Sequence, residues 1–296
     1  MNKIYDVIII GAGPAGLTSA IYLKRANKNV LVLDAKSYGG AIINSLNIEN
    51  YPACPNISGY DLVTKMYEQA KELGTEFKFE KVIEVKNTKN KEVTTSKNKY
   101  LAKAIIMATG TTNRKLGINE EDYLGKGVSY CATCDGNFYK DREVAIVGGG
   151  NTAIDDALYL SNICKNVYLI HRRDEFRADA KNLDLLRKKK NVKFILNSII
   201  TKLNGKDYLE SIEINNKETI KVDGLFIAIG QNPENNLFKN LLKLDKNGYV
   251  KSNSTLTNIK GVFVAGDVRS KKVRQLVTAT SDGAIAAEEV IEYLNN

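Results

Sequence analysis

At 296 residues the chain has room for about two domains, and its 43% hydrophobic and 26% charged content is that of an ordinary globular protein. The net charge of +9 does not mark a nucleic-acid binder, because the lysines around Lys86–Lys91 and Lys97–Lys103 are interleaved with polar residues and lack the aromatic interleaving of a single-strand groove. No apolar run approaches the ~18 residues of a membrane span, and Asp6 with the glycines of 11–16 interrupts any leader-like core, so no membrane association and a cytoplasmic setting are expected.

Val7–Ile10 is a short apolar, β-branched run, as a strand buried on both faces requires. The fingerprint Gly11-Ala12-Gly13-Pro14-Ala15-Gly16 comes next. The pattern predicts a helix from Pro14 to Ala26, with Pro14 in the first turn, where its missing N–H is harmless. Asn29–Leu33 is the next strand and ends at Asp34, completing one βαβ unit. A later strand, Ile105–Gly110, closes in Ala-Thr-Gly. A second copy opens at Val144–Val147, with fingerprint Gly148–Ala153, helix Asn151–Ser161 and strand Asn166–Ile170 ending at His171. Its later strand, Leu225–Gly230, closes in Ala-Ile-Gly. The interval from first glycine to strand end is the same in both, Gly11 to Asp34 and Gly148 to His171. A third such strand, Gly261–Asp267, has no fingerprint of its own and precedes a helix over Thr278–Leu294.

These elements predict an α/β fold of two Rossmann-like dinucleotide-binding domains, one inserted into the other. Residues 1–112 and 243–296 form the outer domain, residues 113–242 the insert, with linkers near Arg114–Gly127 and Phe238–Gly248.

In such a fingerprint the first glycine makes the tight turn and the second lets backbone approach a pyrophosphate. The third, or an alanine such as Ala153, lets helix and strand pack closely. The helix N-terminus then offers free N–H groups to phosphate. Asp34 can accept hydrogen bonds from ribose hydroxyls. Its counterpart is His171, followed by Arg172, Arg173 and Arg177, and guanidiniums suit a phosphate, so the second site should prefer NADP(H). Cys131-Ala132-Thr133-Cys134 reads as a redox disulfide, with Asp135 placed to exchange a proton with a thiol. One histidine and one CxxC cannot complete a zinc tetrahedron, so no metal is expected. Cys54 and Cys164 read as free thiols. A flavin accepts hydride from a nicotinamide and can reduce a disulfide, which argues for FAD in the first site, with Gly266-Asp267 bringing a carboxylate to its ribityl or pyrophosphate region.

Together, Gly11–Gly16, Glu49-Asn50-Tyr51-Pro52, Ala108-Thr109-Gly110, Cys131–Gly136, Gly148–Ala153, His171–Arg177 and Gly261–Arg269 resemble the low-molecular-weight, bacterial-type thioredoxin reductases over nearly the whole chain. The resemblance implies a homodimeric NADPH-dependent flavoprotein passing electrons from NADPH through FAD and Cys131–Cys134 to thioredoxin, the insert rotating about its two linkers. It implies that Cys134 faces the flavin, Cys131 attacks thioredoxin and Asp135 is the acid. Implied FAD contacts are Gly11, Ala12, Gly13, Pro14, Ala15, Gly16, Asp34, Gly39, Gly40, Ala41, Asn50, Thr109, Gly110, Gly266, Asp267, Arg274 and Gln275. Implied NADPH contacts are Gly148, Gly149, Gly150, Asn151, Thr152, Ala153, His171, Arg172, Arg173, Arg177 and Gly230. Phe138-Tyr139 resembles an aromatic pair offered to the substrate protein. Where the family pattern reads Gly-Gly-Gln, this chain has Gly39-Gly40-Ala41 and lacks an amide near the flavin.

Overall fold

The structure, a computed structural model, describes residues 3–45 and 47–296, with the Asn44 side chain left aside. In chain order the first segment contains β1 (Ile4–Ile10), α1 (Pro14–Arg25), β2 (Val30–Asp34), α2 (Gly59–Glu72), β3 (Glu76–Phe79), β4 (Val82–Lys86), β5 (Lys91–Thr95), β6 (Lys99–Met107) and the crossing strand β7 (Thr111–Asn113). Then come β8 (Val128–Ser129), α3 (Ala132–Asp135), β9 (Glu143–Val147), α4 (Asn151–Ser161), β10 (Asn166–Ile170), α5 (Ala180–Arg187) and β11 (Val192–Ile195). The insert ends with β12 (Ile200–Asn204), β13 (Ser211–Ile214), β14 (Glu218–Lys221) and β15 (Gly224–Ile227), and β16 (Gln231–Pro233) crosses back. β17 (Val262–Val264) and α6 (Leu276–Asn295) complete the chain.

The chain divides into two compact units, residues 1–112 with 232–296, and residues 113–231. The return crossing therefore falls at 231/232, not at the expected 242/243. The reason is packing: Phe238 and Leu242 are buried with Leu31, Leu33, Met107 and Val250 in the first unit's core. A segment carrying those side chains cannot serve as a solvated linker.

The first unit has a parallel set ordered β3-β2-β1-β6-β17. β6 pairs with β1 on one side and is long enough to serve two neighbours on the other, pairing antiparallel with β5 through Lys99–Ala102 and parallel with β17 through Ile105–Met107. The insert repeats the arrangement as β11-β10-β9-β15-β8, all parallel, beside an antiparallel meander β12-β13-β14. Strand alternation explains the apolar runs. Val7, Ile9, Val30, Val32 and Ile106 face α1 and α6, while Ile8, Ile10, Leu31, Leu33 and Ile105 face the opposite layer, all buried. Burial of each such side chain contributes about 1.5–3 kcal/mol. Small residues let α1 and α6 approach: a Cβ on Gly283 would lie 2.3 Å from the Ala15 carbonyl oxygen, and Ser19 Oγ donates to the Gly283 carbonyl at 2.9 Å.

Candidate redox and nucleotide sites

In the first unit the residues expected to hold a flavin nucleotide gather at the carboxyl ends of the parallel strands. Gly11 turns the chain with φ +110°, and a Cβ there would lie 2.2 Å from the Ala108 carbonyl oxygen. A Cβ on Gly16 would lie 1.9 Å from the Gly11 carbonyl oxygen, so the third glycine performs the expected close packing. Gly13, by contrast, is less crowded: a Cβ there would make only an ordinary contact, 3.8 Å from Gly40 Cα. That less crowded face is the one a pyrophosphate would approach. Asp34 holds the loop, its Oδ2 accepting from Ala12 N at 2.9 Å and its Oδ1 from Lys36 N at 3.1 Å. Each oxygen keeps a further lone pair for a hydroxyl.

Gly39 N donates to the Ala12 carbonyl at 2.8 Å, which brings the Gly39-Gly40 turn against the fingerprint. Ala41 is next, in a 3-10 turn, and is exposed. Asn50 Nδ2 donates to Gln275 Oε1 at 3.1 Å, joining two expected contacts distant in sequence. Arg274 Nε donates to the Asp267 carbonyl at 3.2 Å and its guanidinium lies 3.9 Å from the Tyr249 ring centroid. Gly266 N donates to Asp282 Oδ2 at 3.1 Å. Asp267 Oδ1 is buried without a hydrogen bond, although Lys271 Nζ stands 3.2 Å away as an ion pair of poor hydrogen-bond geometry. A buried carboxylate oxygen lacking a donor is costly, and a cofactor hydroxyl would satisfy it, so these residues fit FAD. Thr109 and Gly110 lie at the edge of the group, where Gly110 O accepts from Glu234 N at 3.0 Å.

Sequence reasoning missed Asp282, Arg269 and Lys271 as a group. Arg269 pairs with Asp282 through two bonds of 2.9 and 2.7 Å, and Lys271 adds a third at 3.0 Å. Burial alone would raise the Asp282 carboxyl, but these cations outweigh it and hold it below the usual carboxylate range. The available signal was an acid among the small residues of the first half of α6, well ahead of the glutamates that begin at Glu288.

In the insert, Gly149 lies under the His171 ring: a Cβ there would meet the imidazole at 2.1 Å. The imidazole also stacks on Phe176, and its Nε2 lies 3.1 Å from the Glu175 carbonyl. Burial first, then repulsion from Arg173, Arg172 and Arg177, lowers the His171 pKa. Arg177 N donates to the Gly149 carbonyl at 2.8 Å, and Asn151 Oδ1 accepts from Asp179 N at 2.7 Å. The arginine loop is thus laced to the fingerprint. Arg172, Arg173 and Arg177 are exposed and form no ion pair among the described residues, which leaves three guanidiniums beside a helix N-terminus. Gly150 faces open space. Gly148 and Ala153 pack closely, a Cβ on the former lying 2.7 Å from the latter's. Thr152 is exposed, and Gly230, with φ +98°, accepts from Arg114 N at 3.1 Å.

Cys131 and Cys134 form a disulfide with Cα atoms 5.3 Å apart, at the start of α3 beyond the carboxyl end of β8. Ser129, also missed from sequence, organises this turn. Its hydroxyl donates to Asp135 Oδ2 at 2.5 Å and accepts from Cys131 N at 3.0 Å. The proposed acid is therefore tied to the backbone of the first cysteine. Phe138 and Tyr139 part company: Phe138 is 47% exposed, while Tyr139 packs edge-on against Phe226 and lies over Gly224. Burial, with the Asp135 charge nearby, pushes the Tyr139 phenol up to about 12. Only Phe138 of the pair is available to a partner. Cys164 is buried and Cys54 half-buried, both as free thiols. No cluster of three metal-ligating side chains occurs among the described residues.

Residues 5–283 match the model of a family described as pyridine nucleotide-disulphide oxidoreductase. The chain belongs to that family. Within it, the chain is 42% identical to a thioredoxin reductase of Listeria monocytogenes over 99% of this chain and 95% of that protein. It is 45% identical to a thioredoxin reductase of Buchnera aphidicola over 98% of this chain and 97% of that one. The crystal structure of a thioredoxin reductase from Streptococcus pyogenes superposes with a TM-score of 0.94 at 39% identity, covering 100% of this chain and 99% of the other. No helix among the described residues is long and apolar enough to cross a membrane.

Proposed function

We propose that the chain is an NADPH-dependent thioredoxin-disulfide reductase in which FAD is held by the first unit and NADPH by the insert. The observation that carries this reading is the joint occurrence, in one unit, of a closed Cys131–Cys134 disulfide and three arginines, in no ion pair among the described residues, beside a dinucleotide fingerprint. When bound, FAD supplies the two-electron chemistry that links a nicotinamide to a disulfide. The protein's part is to bind, orient and manage protons. Asp34, the Gly11–Gly16 loop, the Gly39-Gly40 turn, Asn50 with Gln275, and Asp267 with Arg274 hold the flavin nucleotide. His171 and the three arginines hold the adenosine-side phosphate of NADPH.

Once Cys131 and Cys134 are reduced, the Cys131 thiolate attacks the thioredoxin disulfide and one thioredoxin sulfur leaves as a thiol. Cys134 then attacks Cys131, releasing dithiol thioredoxin and restoring the disulfide, so two electrons and two protons pass to the substrate. Asp135, fixed by Ser129, takes and returns the proton of a neighbouring thiol. A homodimer acting in the cytoplasm completes the proposal.

The test is thioredoxin-dependent NADPH oxidation by the FAD-saturated protein, with NADH in parallel and Cys134→Ser as the variant. The expected variant loses thioredoxin turnover while NADPH still bleaches the flavin. Retained turnover in that variant would overturn the relay.

A further inference from the structure

Lys271 is a buried ammonium that neither fingerprint explains. Its side chain is 7% exposed and that of Asp282 4%. Nζ donates to Asp282 Oδ2 at 3.0 Å and to Thr278 Oγ1 at 3.3 Å. Its approach to Asp267 Oδ1, at 3.2 Å, is of another kind: an ion pair, with Oδ1 itself accepting no hydrogen bond. Lys271 therefore gives Asp267 a compensating charge and spends its protons elsewhere. Asp282 is in turn clamped by Nε and Nη2 of Arg269 and accepts from the backbone N of Gly266, the residue before Asp267. One buried carboxylate on α6 thus fixes both the cation facing Asp267 and the backbone leading into it. The arrangement neutralises Asp267 without filling the lone pairs that a ligand hydroxyl needs.

We propose, resting on the flavin reading above, that Lys271 is a positioning residue for FAD: braced by Asp282, it holds the Asp267 carboxylate in place while leaving Oδ1 to accept a hydroxyl of the cofactor's polyol chain. Lys271 acts through Asp267 and need not touch FAD.

The test is FAD titration into the apoprotein, followed by flavin fluorescence, for wild type, Asp267→Asn, Lys271→Met and the double variant. Asp267→Asn and Lys271→Met are each expected to raise the FAD Kd by roughly ten- to a hundredfold, the range of one charged hydrogen bond. In the double variant the second change should add less than about threefold, because both act on one contact. Should Lys271→Met fail to fold, Lys271→Met/Asp282→Asn removes one charge of each sign, and its Kd should be raised equally. A Lys271→Met Kd within about threefold of wild type, or effects that multiply in the double variant, would overturn the inference. If wild type binds FAD and Asp267→Asn binds it equally, Asp267 is not a flavin contact and the inference falls with it. If wild-type protein binds no FAD, the wider functional reading falls.

Discussion

Asp156 offers the sharpest test of the energetics, because it is a half-buried carboxyl with no partner among the described residues. It sits in the sixth position of α4 and joins no hydrogen bond or ion pair among the described residues. The chain leaves β8 through Cys131 and descends to the start of β9, while α4 descends from the far end of β9. Gly136 lies against Tyr159, Leu160 and Ile163, and Asp156 is one helical turn before the first two. Burial first, then the neighbouring Asp155 charge, pushes the Asp156 carboxyl from 3.8 up to about 7. The folded protein thus keeps a proton that the unfolded chain releases near its ordinary value. Between those two values the native state binds more protons, so stability falls as pH rises through the window. From about pH 5 to about pH 8 the loss is roughly 3 kcal/mol, two units at about 1.4 kcal/mol each. Asp156→Asn mimics the neutral form and removes the dependence. Its melting temperature should exceed that of wild type by roughly 6–12 °C more at about pH 8 than at about pH 5, read by calorimetry on the insert's transition. An identical difference at both pH values would refute the claim that Asp156 is neutral when folded.

Three further outcomes are expected from the geometry. Replacing Arg172 and Arg173 with Ala should raise the KM for NADPH by roughly ten- to a thousandfold and leave NADH kinetics unchanged, since under the proposed function each guanidinium gives the phosphate a charge-assisted contact; an equal loss with both nucleotides would refute the phosphate assignment. Ser129→Ala removes the hydroxyl that bonds both Asp135 and Cys131 N, and should slow thioredoxin turnover about tenfold while NADPH bleaches the flavin at the wild-type rate; stopped-flow traces separate the two. Glu120 is buried and its carboxylate accepts from Gly117 N at 3.2 Å and Ile118 N at 3.0 Å. Burial opposes its charge, but these donors outweigh burial and hold its pKa below the usual value, so its stabilisation is present above the ordinary carboxylate pKa and lost as pH falls through the lowered one. Glu120→Gln should therefore cost about 2 kcal/mol near neutral pH and progressively less in acid, by urea unfolding at several pH values.

The parts legible in sequence were those encoded locally. Gly11, Gly16, Gly148 and Ala153 read correctly because the spacing that makes a tight turn also brings helix and strand into contact, and both constraints lie within a few residues. The strand ends at Asp34 and just before His171 were legible because a parallel strand of fixed length delivers its end to the same place, β2 closing at Asp34 and β10 at Ile170. The second domain boundary did not, because Phe238 is apolar for a reason visible only in three dimensions: it fills the layer under Leu31 and Met107. Ser129 escapes sequence reasoning because a serine two residues before a cysteine has no pattern of its own until the turn closes it onto Asp135. The Lys271 group escapes it because its members come from a loop and a helix, and a basic residue near a chain's end reads as surface unless its acidic partner is known to be buried.

The two units show how one supersecondary plan is given two chemistries. Their parallel sets are the same, β3-β2-β1-β6-β17 against β11-β10-β9-β15-β8, so the fifth strand occupies equivalent positions although one comes from the end of the chain and the other from the start of the insert. The exits from that strand differ. After β17 come Gly266-Asp267 and the buried cations that set a carboxylate at the carboxyl end of the sheet. After β8 comes Cys131, at the carboxyl end of its own sheet, with Ser129 and Asp135 around it. The outermost parallel strand is where each copy of the fold attaches the group that a fingerprint alone cannot supply. On the proposed reading that group binds a cofactor hydroxyl in one case and exchanges electrons in the other. Changing either strand's exit should therefore alter one chemistry and spare the other's nucleotide. Ser129→Ala should leave the FAD Kd unchanged, and Lys271→Met should leave the KM for NADPH of the FAD-saturated enzyme unchanged. Cross-effects on those two constants would show that the exits do not act separately.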